Sequence, residues 1–111
     1  MIEPTEEQKI MTDPTLKAAL DASPSDRRLT PERVEAAVKG TEFYVVRGSC
    51  LTICVITMRN GFSVAASAAC ADPANFDPEI GRTVSYNNAL KQVWPLEGYL
   101  LKQRVFEEDT A

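Results

Sequence analysis

Asn60-Gly61 lies between two apolar, β-branched runs, Cys50–Met58 and Phe62–Ala69. That arrangement leaves the chain little choice but an antiparallel hairpin. Both turn residues tolerate positive φ, which a tight connection between twisted strands requires. A second turn signal, Gly48-Ser49, precedes the first run, and the stretch before it, Glu42–Arg47, is rich in Phe, Tyr and Val. The spacing predicts a meander of three strands: Glu42–Arg47, Cys50–Met58 and Phe62–Ala69. In the middle strand one face carries Cys50, Thr52, Cys54, Ile56 and Met58; the other carries Leu51, Ile53, Val55 and Thr57. Neither face is strongly polar, whereas a half-exposed sheet alternates more cleanly. Both faces are therefore expected to be covered, one by helices and the other by the N-terminal arm or a second subunit. A homo-oligomer is expected on the same ground.

Helices flank the meander. Thr30 is placed to cap a helix with Pro31 at its first position, Val34, Ala37 and Val38 on one face, and Gly40 closing it as a left-handed C-cap. Asp77 and Pro78 launch a second helix in the same way, with Glu79 in the first turn. It is expected to run to about Trp94, with Val84, Ala89, Leu90, Val93 and Trp94 apolar. Pro95 is predicted to break it, because proline lacks the amide and disfavours helix in its predecessor. A last helix then runs from Leu96 to about Phe106, with Leu96, Tyr99, Leu100 and Val105 inward, and Glu107–Ala111 is a solvated tail. Residues 1–29 read as an arm, helical in part: Thr5 and Gln8 form a capping box, and Asp13-Pro14 restarts a pattern carrying Leu16, Ala19 and Leu20. The expected fold is α+β in one domain, residues 30–111: an N-terminal helical segment, a short antiparallel meander and two C-terminal helices broken at Pro95.

Several chemistries are missing. There is no histidine, which removes the commonest general base near neutral pH and the commonest metal ligand. Cys50-x3-Cys54 has no second pair to complete a tetrahedral site, so no metal and no cofactor are expected. Asp72 and Asp77 flank one loop, but cap and turn chemistry explains both more simply than an acid/base pair. An enzyme is disfavoured. The net charge of -4 argues against DNA or RNA, which demand a cationic surface. No run approaches the roughly 20 apolar residues that span a bilayer. The N-terminus lacks the apolar core of a secretory signal. Three cysteines, an odd number, then read as reduced thiols in the cytoplasm.

What remains is chemistry for holding a small anion. Arg47, Arg59, Arg82 and Arg104 lie in or beside the ordered core, and the guanidinium fork suits phosphate. Phe76 sits in a loop, where a ring can stack on a base. Asn87-Asn88 interrupts an apolar helix with two amides whose hydrogen bonds need partners if buried. Each has a plainer reading: a solvated surface arginine, a plug under its own loop, an amide bonded to nearby backbone.

From Thr30 to Leu101 the chain resembles a family of small proteins of tailed phages and prophages. The residues that carry the resemblance are Thr30–Glu35, the Cys54–Phe62 run, Asp72–Arg82, Asn88-Ala89-Leu90 and, most specifically, Trp94–Leu101. In size and layout it is also similar to phage proteins that defeat the Thoeris defence system by acting as sponges. Those bind cyclic ADP-ribose isomers, and in some cases cyclic oligonucleotides, without cleaving them, and they form homo-oligomers. Their pocket uses an arginine from the sheet, an aromatic residue, an asparagine and a late arginine. The resemblance implies Arg47, Phe76, Asn88 or Asn87, and Arg104 in those places; Arg82 joins them from its position beside the loop. The expectation is an anti-defence binding protein that sequesters a nucleotide-like signalling molecule. The alternative is a protein-interaction inhibitor of a host or defence factor.

Overall fold

The computed structural model describes residues 15, 18, 19, 22 and 24–110. Thr15, Ala18 and Ala19 are helical; the proposed caps at Thr5 and Asp13 lie outside the described residues. Helix α1, Pro31–Ala36, starts as its sequence dictates, with the Thr30 side chain accepting from the Arg33 amide at 3.1 Å. The Arg33 guanidinium folds back and donates to the Asp26 and Arg28 carbonyls at 2.6 and 2.7 Å. This ties the preceding segment to the domain.

Three antiparallel strands follow in the order β1 (Val38–Val45), β2 (Thr52–Met58), β3 (Ser63–Ala68). The helix expected to reach Gly40 ends early, at Ala37 in the right-handed region, and Gly40 lies within β1 beside a register shift. Two contacts explain this. The Arg59 amide donates to the Ala37 carbonyl at 3.0 Å and its Nε donates to Ala36. The carbonyls that a glycine cap would have satisfied are thus taken, and Val38 pairs with Met58 instead. The two positive-φ glycines are Gly48 (78°) and Gly61 (90°), one in each hairpin turn. At the second turn Met58 donates to the Phe62 carbonyl at 2.8 Å across a three-residue loop, and the Asn60 side chain accepts from the Phe62 amide at 3.0 Å. Only the glycine adopts positive φ, as in a type I turn closed by a bulge.

A single helix, α2, runs from Pro78 to Thr110, 33 residues with Pro95 inside. The predicted break at Pro95 does not occur. Proline in a helix interior costs about 3 kcal/mol, but Pro95 is on the exposed side, where water can reach the carbonyl it leaves unbonded. On the opposite side Leu90 and Val93 before it and Leu96 after it pack on one core. Burying such side chains yields about 1.5–3 kcal/mol each, which outweighs the missing bond. Nor is the acidic end a free tail: α2 includes Glu107, Glu108 and Asp109, and Arg27 bridges the last two at 3.3 and 3.0 Å. Tyr99, expected inward, is 71% exposed. It sits about a quarter turn from the Ser85–Ala89–Val93 row that faces the sheet.

Helix α2 packs along β3 and β2. The even face of β2 is buried beneath it: Thr52, Cys54 and Ile56 are fully enclosed, Met58 nearly so. Val34, Val64, Ala89, Leu90 and Val93 complete the core, with Leu29, Trp94 and Leu96 at its margin. Close approach depends on Gly81, where an added Cβ would stand 2.5 Å from the Thr52 hydroxyl. The odd face of β2 is half-buried, and β1 beyond Val38 is exposed throughout. The cover predicted for that odd face is not provided by any described element packed on it.

Candidate functional site

The register decides which side chains meet at the end of the sheet. β2 and β3 pair from Thr57↔Ser63 to Thr52↔Ala68. Continuing that register by two residues sets Cys50 opposite Cys70. Beyond them the β1–β2 turn and the loop after β3 form the walls of an open cleft of about 500 Å³, lined by Gly48, Ser49, Cys50, Leu51, Cys70 and Phe76 among others. That volume lies in the range of small-molecule sites.

Each wall is built by short-range chemistry. On one side Val46 donates to the Leu51 carbonyl at 2.9 Å, and the Ser49 hydroxyl donates to Val46 O at 2.8 Å while accepting from the Leu51 amide at 3.1 Å. Gly48 supplies the positive φ that lets four residues close this turn. On the other side Asp72 caps a 3-10 turn, Pro73–Asn75, by accepting from the Ala74 amide at 3.0 Å, and Phe76 bonds back to the Pro73 carbonyl at 3.1 Å. Asp77 then caps α2, accepting from the Glu79 amide at 2.9 Å. Both aspartates hold the cap and turn positions that their Asp-Pro context implies. The 3-10 turn sets the Phe76 ring, half-buried, against the cleft.

The sequence-derived candidates are not all brought together. Arg47 immediately precedes the cleft residue Gly48 and is exposed, and its guanidinium has no ion pair or hydrogen bond among the described residues. Arg47 and Phe76 therefore belong to one end of the molecule. Arg82 is near that end, in the first turns of α2, and is ion-paired with Glu79. Asn88 donates from Nδ2 to the Ser67 carbonyl at 3.1 Å, the plainer of its two readings. Asn87 is half-buried one position along the same helix. Arg104 is separated from the cleft by most of α2: 26 residues beyond Pro78, roughly 40 Å along the axis at helical rise. Within one chain it does not share a cavity with Phe76.

Three contributors were not singled out from the sequence. Cys50 and Cys70 face one another only through the register. Gln92 donates from Nε2 to the Ala65 carbonyl at 2.7 Å, four residues after Asn88 bonds Ser67. The readable signal was the pair of amides at i and i+4, whose rise of about 6 Å matches two residues of strand at about 6.8 Å.

The fold and the cleft define a small two-layer α+β protein with an aromatic-lined hollow at one end of its sheet. Residues 29–105 match the family model described as phage protein (N4 Gp49/phage Sf6 gene 66), and the chain belongs to that family. The match opens at Leu29, which packs on the margin of the core. No curated protein and no solved structure matches the chain. Among the described residues no helix is long and apolar enough to cross a membrane, and no cluster of three metal-ligating side chains occurs.

Proposed function

We propose that this phage-family protein acts by binding, not by turnover, in the host cytoplasm, and that the cleft beside Phe76 takes a small anionic ligand with an aromatic base. The ligand class is a nucleotide immune signal, a cyclic ADP-ribose isomer or cyclic oligonucleotide, held intact. The observation that supports this is the half-buried Phe76 ring lining a hollow of about 500 Å³, with the exposed Arg47 one residue before the cleft residue Gly48. Stacking would hold the base and the Arg47 fork the phosphate. The test is titration calorimetry with a cyclic ADP-ribose isomer, followed by recovery of the ligand. Phe76→Ala is expected to weaken binding about 5- to 150-fold, the equivalent of ~1–3 kcal/mol per stacked base. Arg104→Ala is expected to leave a one-chain site unchanged. Absence of heat at micromolar protein, or return of a cleaved ligand, overturns the reading.

A second reading rests on a different observation. The outer strand β1 exposes Phe43, Tyr44 and Val45 on an edge that no described strand pairs. Such an edge accepts an added strand. This supports a protein-interaction inhibitor, or a homo-oligomer built through β1. A stoichiometric protein partner that is lost on Val45→Lys, with no nucleotide released on denaturation, favours it over the sponge.

A further inference from the structure

Cys50 and Cys70 stand apart from the third cysteine. Both are partly accessible and both line the cleft, and the β2–β3 register, if continued two residues past its last pair Thr52↔Ala68, would set them across from one another. Directly opposed residues in an antiparallel pair have Cα atoms about 4.5–5.5 Å apart, inside the ~4.4–6.8 Å range a disulfide spans. Cys54, by contrast, is fully enclosed under α2, opposite Ala66.

We propose that Cys50 and Cys70 are a thiol–disulfide couple that low-molecular-weight disulfides oxidise reversibly, stapling the wall that carries Phe76 to the β1–β2 turn. One thiolate attacks a sulfur of the small disulfide RSSR, forming a protein–SR mixed disulfide and expelling RS⁻. The second cysteine, deprotonated, attacks the protein-bound sulfur and expels the other RS⁻. Two S–H bonds become one S–S bond, RSSR is reduced to two RSH, and both protons end on the released thiols. In the host cytoplasm the internal bond would be transient and redox-sensing, formed and broken with the small-disulfide pool and not a permanent one.

The surroundings are consistent with a couple that rests reduced. Hydrogen bonding to Cys70, then burial and the nearby charges of Cys70 and Asp72, hold the Cys50 thiol above its usual range. Exchange should therefore quicken as pH rises, since the thiolate is the attacking form. Burial pushes the Cys54 thiol up as well, and no small disulfide can reach it without opening the core. The chemistry of the couple does not rest on the ligand assigned to the cleft.

The experiment is equilibration of the folded full chain with excess oxidised glutathione, then alkylation in denaturant and intact-mass measurement. The expected product has lost two hydrogens, carries no glutathione, and retains one alkylatable thiol of the original three. Cys54→Ala is expected to give the same loss with no thiol left. Cys50→Ser and Cys70→Ser are each expected to trap one glutathione and form no internal bond. A chain that keeps all three thiols, that carries one glutathione on each of two cysteines, or whose internal bond involves Cys54 overturns the proposal. Amide exchange gives an independent readout: residues 69–76 should exchange more slowly in the oxidised form and recover on reduction. Unchanged exchange there overturns the stapling.

Discussion

The two edges of the sheet are treated in opposite ways. Because Met58 bonds Phe62, the even residues of β3 face β2, and the odd ones, Ala65 and Ser67, turn their carbonyls to the open side. Helix α2 covers that edge with side chains: Asn88 donates to Ser67 and Gln92 to Ala65. The β1 edge receives nothing comparable among the described residues, and Phe43, Tyr44 and Val45 are 36%, 53% and 49% exposed. One long helix can lie over two strands of a three-stranded sheet. The strand it leaves uncovered exposes large apolar side chains, Phe43, Tyr44 and Val45, so any association through a sheet edge is expected at β1.

If the covered side carries the stability, removing its packing should cost most. Ile56→Ala, fully buried beneath α2, is expected to lower unfolding free energy by about 2–5 kcal/mol, measured by urea denaturation. Gly81→Ala should come next, at about 1–3 kcal/mol from overpacking against Thr52. Alanine gains roughly 1 kcal/mol in helix propensity over glycine, so a net loss shows that the Thr52 contact dominates. Adding Thr52→Ala should restore most of it, since it removes the hydroxyl that the new Cβ meets. A Gly81→Ala protein more stable than the wild type would mean that α2 does not lie this close to β2.

The edge amides are a smaller lever. Asn88→Ala and Gln92→Ala are each expected to cost about 1 kcal/mol, the net value of one hydrogen bond, and the double variant to associate more readily through its newly opened β3 edge. On the other edge Val45→Lys should change stability by no more than about 0.5 kcal/mol and abolish any concentration-dependent association in sedimentation. Equal effects of Gln92→Ala and Val45→Lys on association would remove the contrast.

The smallest expected effect is a titration on the open edge. The Tyr44 hydroxyl donates to Glu42 at 2.6 Å, and that bond, then the carboxylate's charge, raises the phenol above its ordinary value. A phenol with a raised folded-state pKa contributes stability that is complete below its unfolded pKa and is lost as pH climbs through the folded one. Glu42→Gln should move the Tyr44 ionisation down toward normal in an ultraviolet absorbance titration. An unmoved curve would mean that the pair does not persist in solution.

Much of the fold was legible because its signals act over a few residues. Thr30-Pro31, Asp77-Pro78, Gly48 and Asn60-Gly61 each satisfy or strain backbone groups next to themselves, so the caps and turns fall where the residues imply. The alternation of β2 was legible in the residues that share each face, but not which face is buried: neither is strongly polar, and it is the even one that lies in the core. Pro95 and Gly40 misled for one reason. Each carries a local preference of a few kcal/mol at most, and each was overruled by contacts made with distant residues: the packing of Leu90, Val93 and Leu96 on the β2 core for the helix, Arg59 and Met58 for the strand.

The candidate site divides along the same line. Phe76 and Arg47 could be recognised as chemistry suited to a nucleotide, but nothing local says that Arg104 is a helix length away or that Asn88 is already bonded to Ser67. By itself the sequence determined where the chain turns, where its helices begin and which residues of β2 share a face, because those outcomes follow from dihedral preference and period. Only the tertiary structure decided that Cys50 and Cys70 line one cleft, which face of β2 is buried, that α2 runs unbroken and that one sheet edge is covered while the other is bare among the described residues. Register and helix path are set by summed long-range burial, and no single residue encodes a sum.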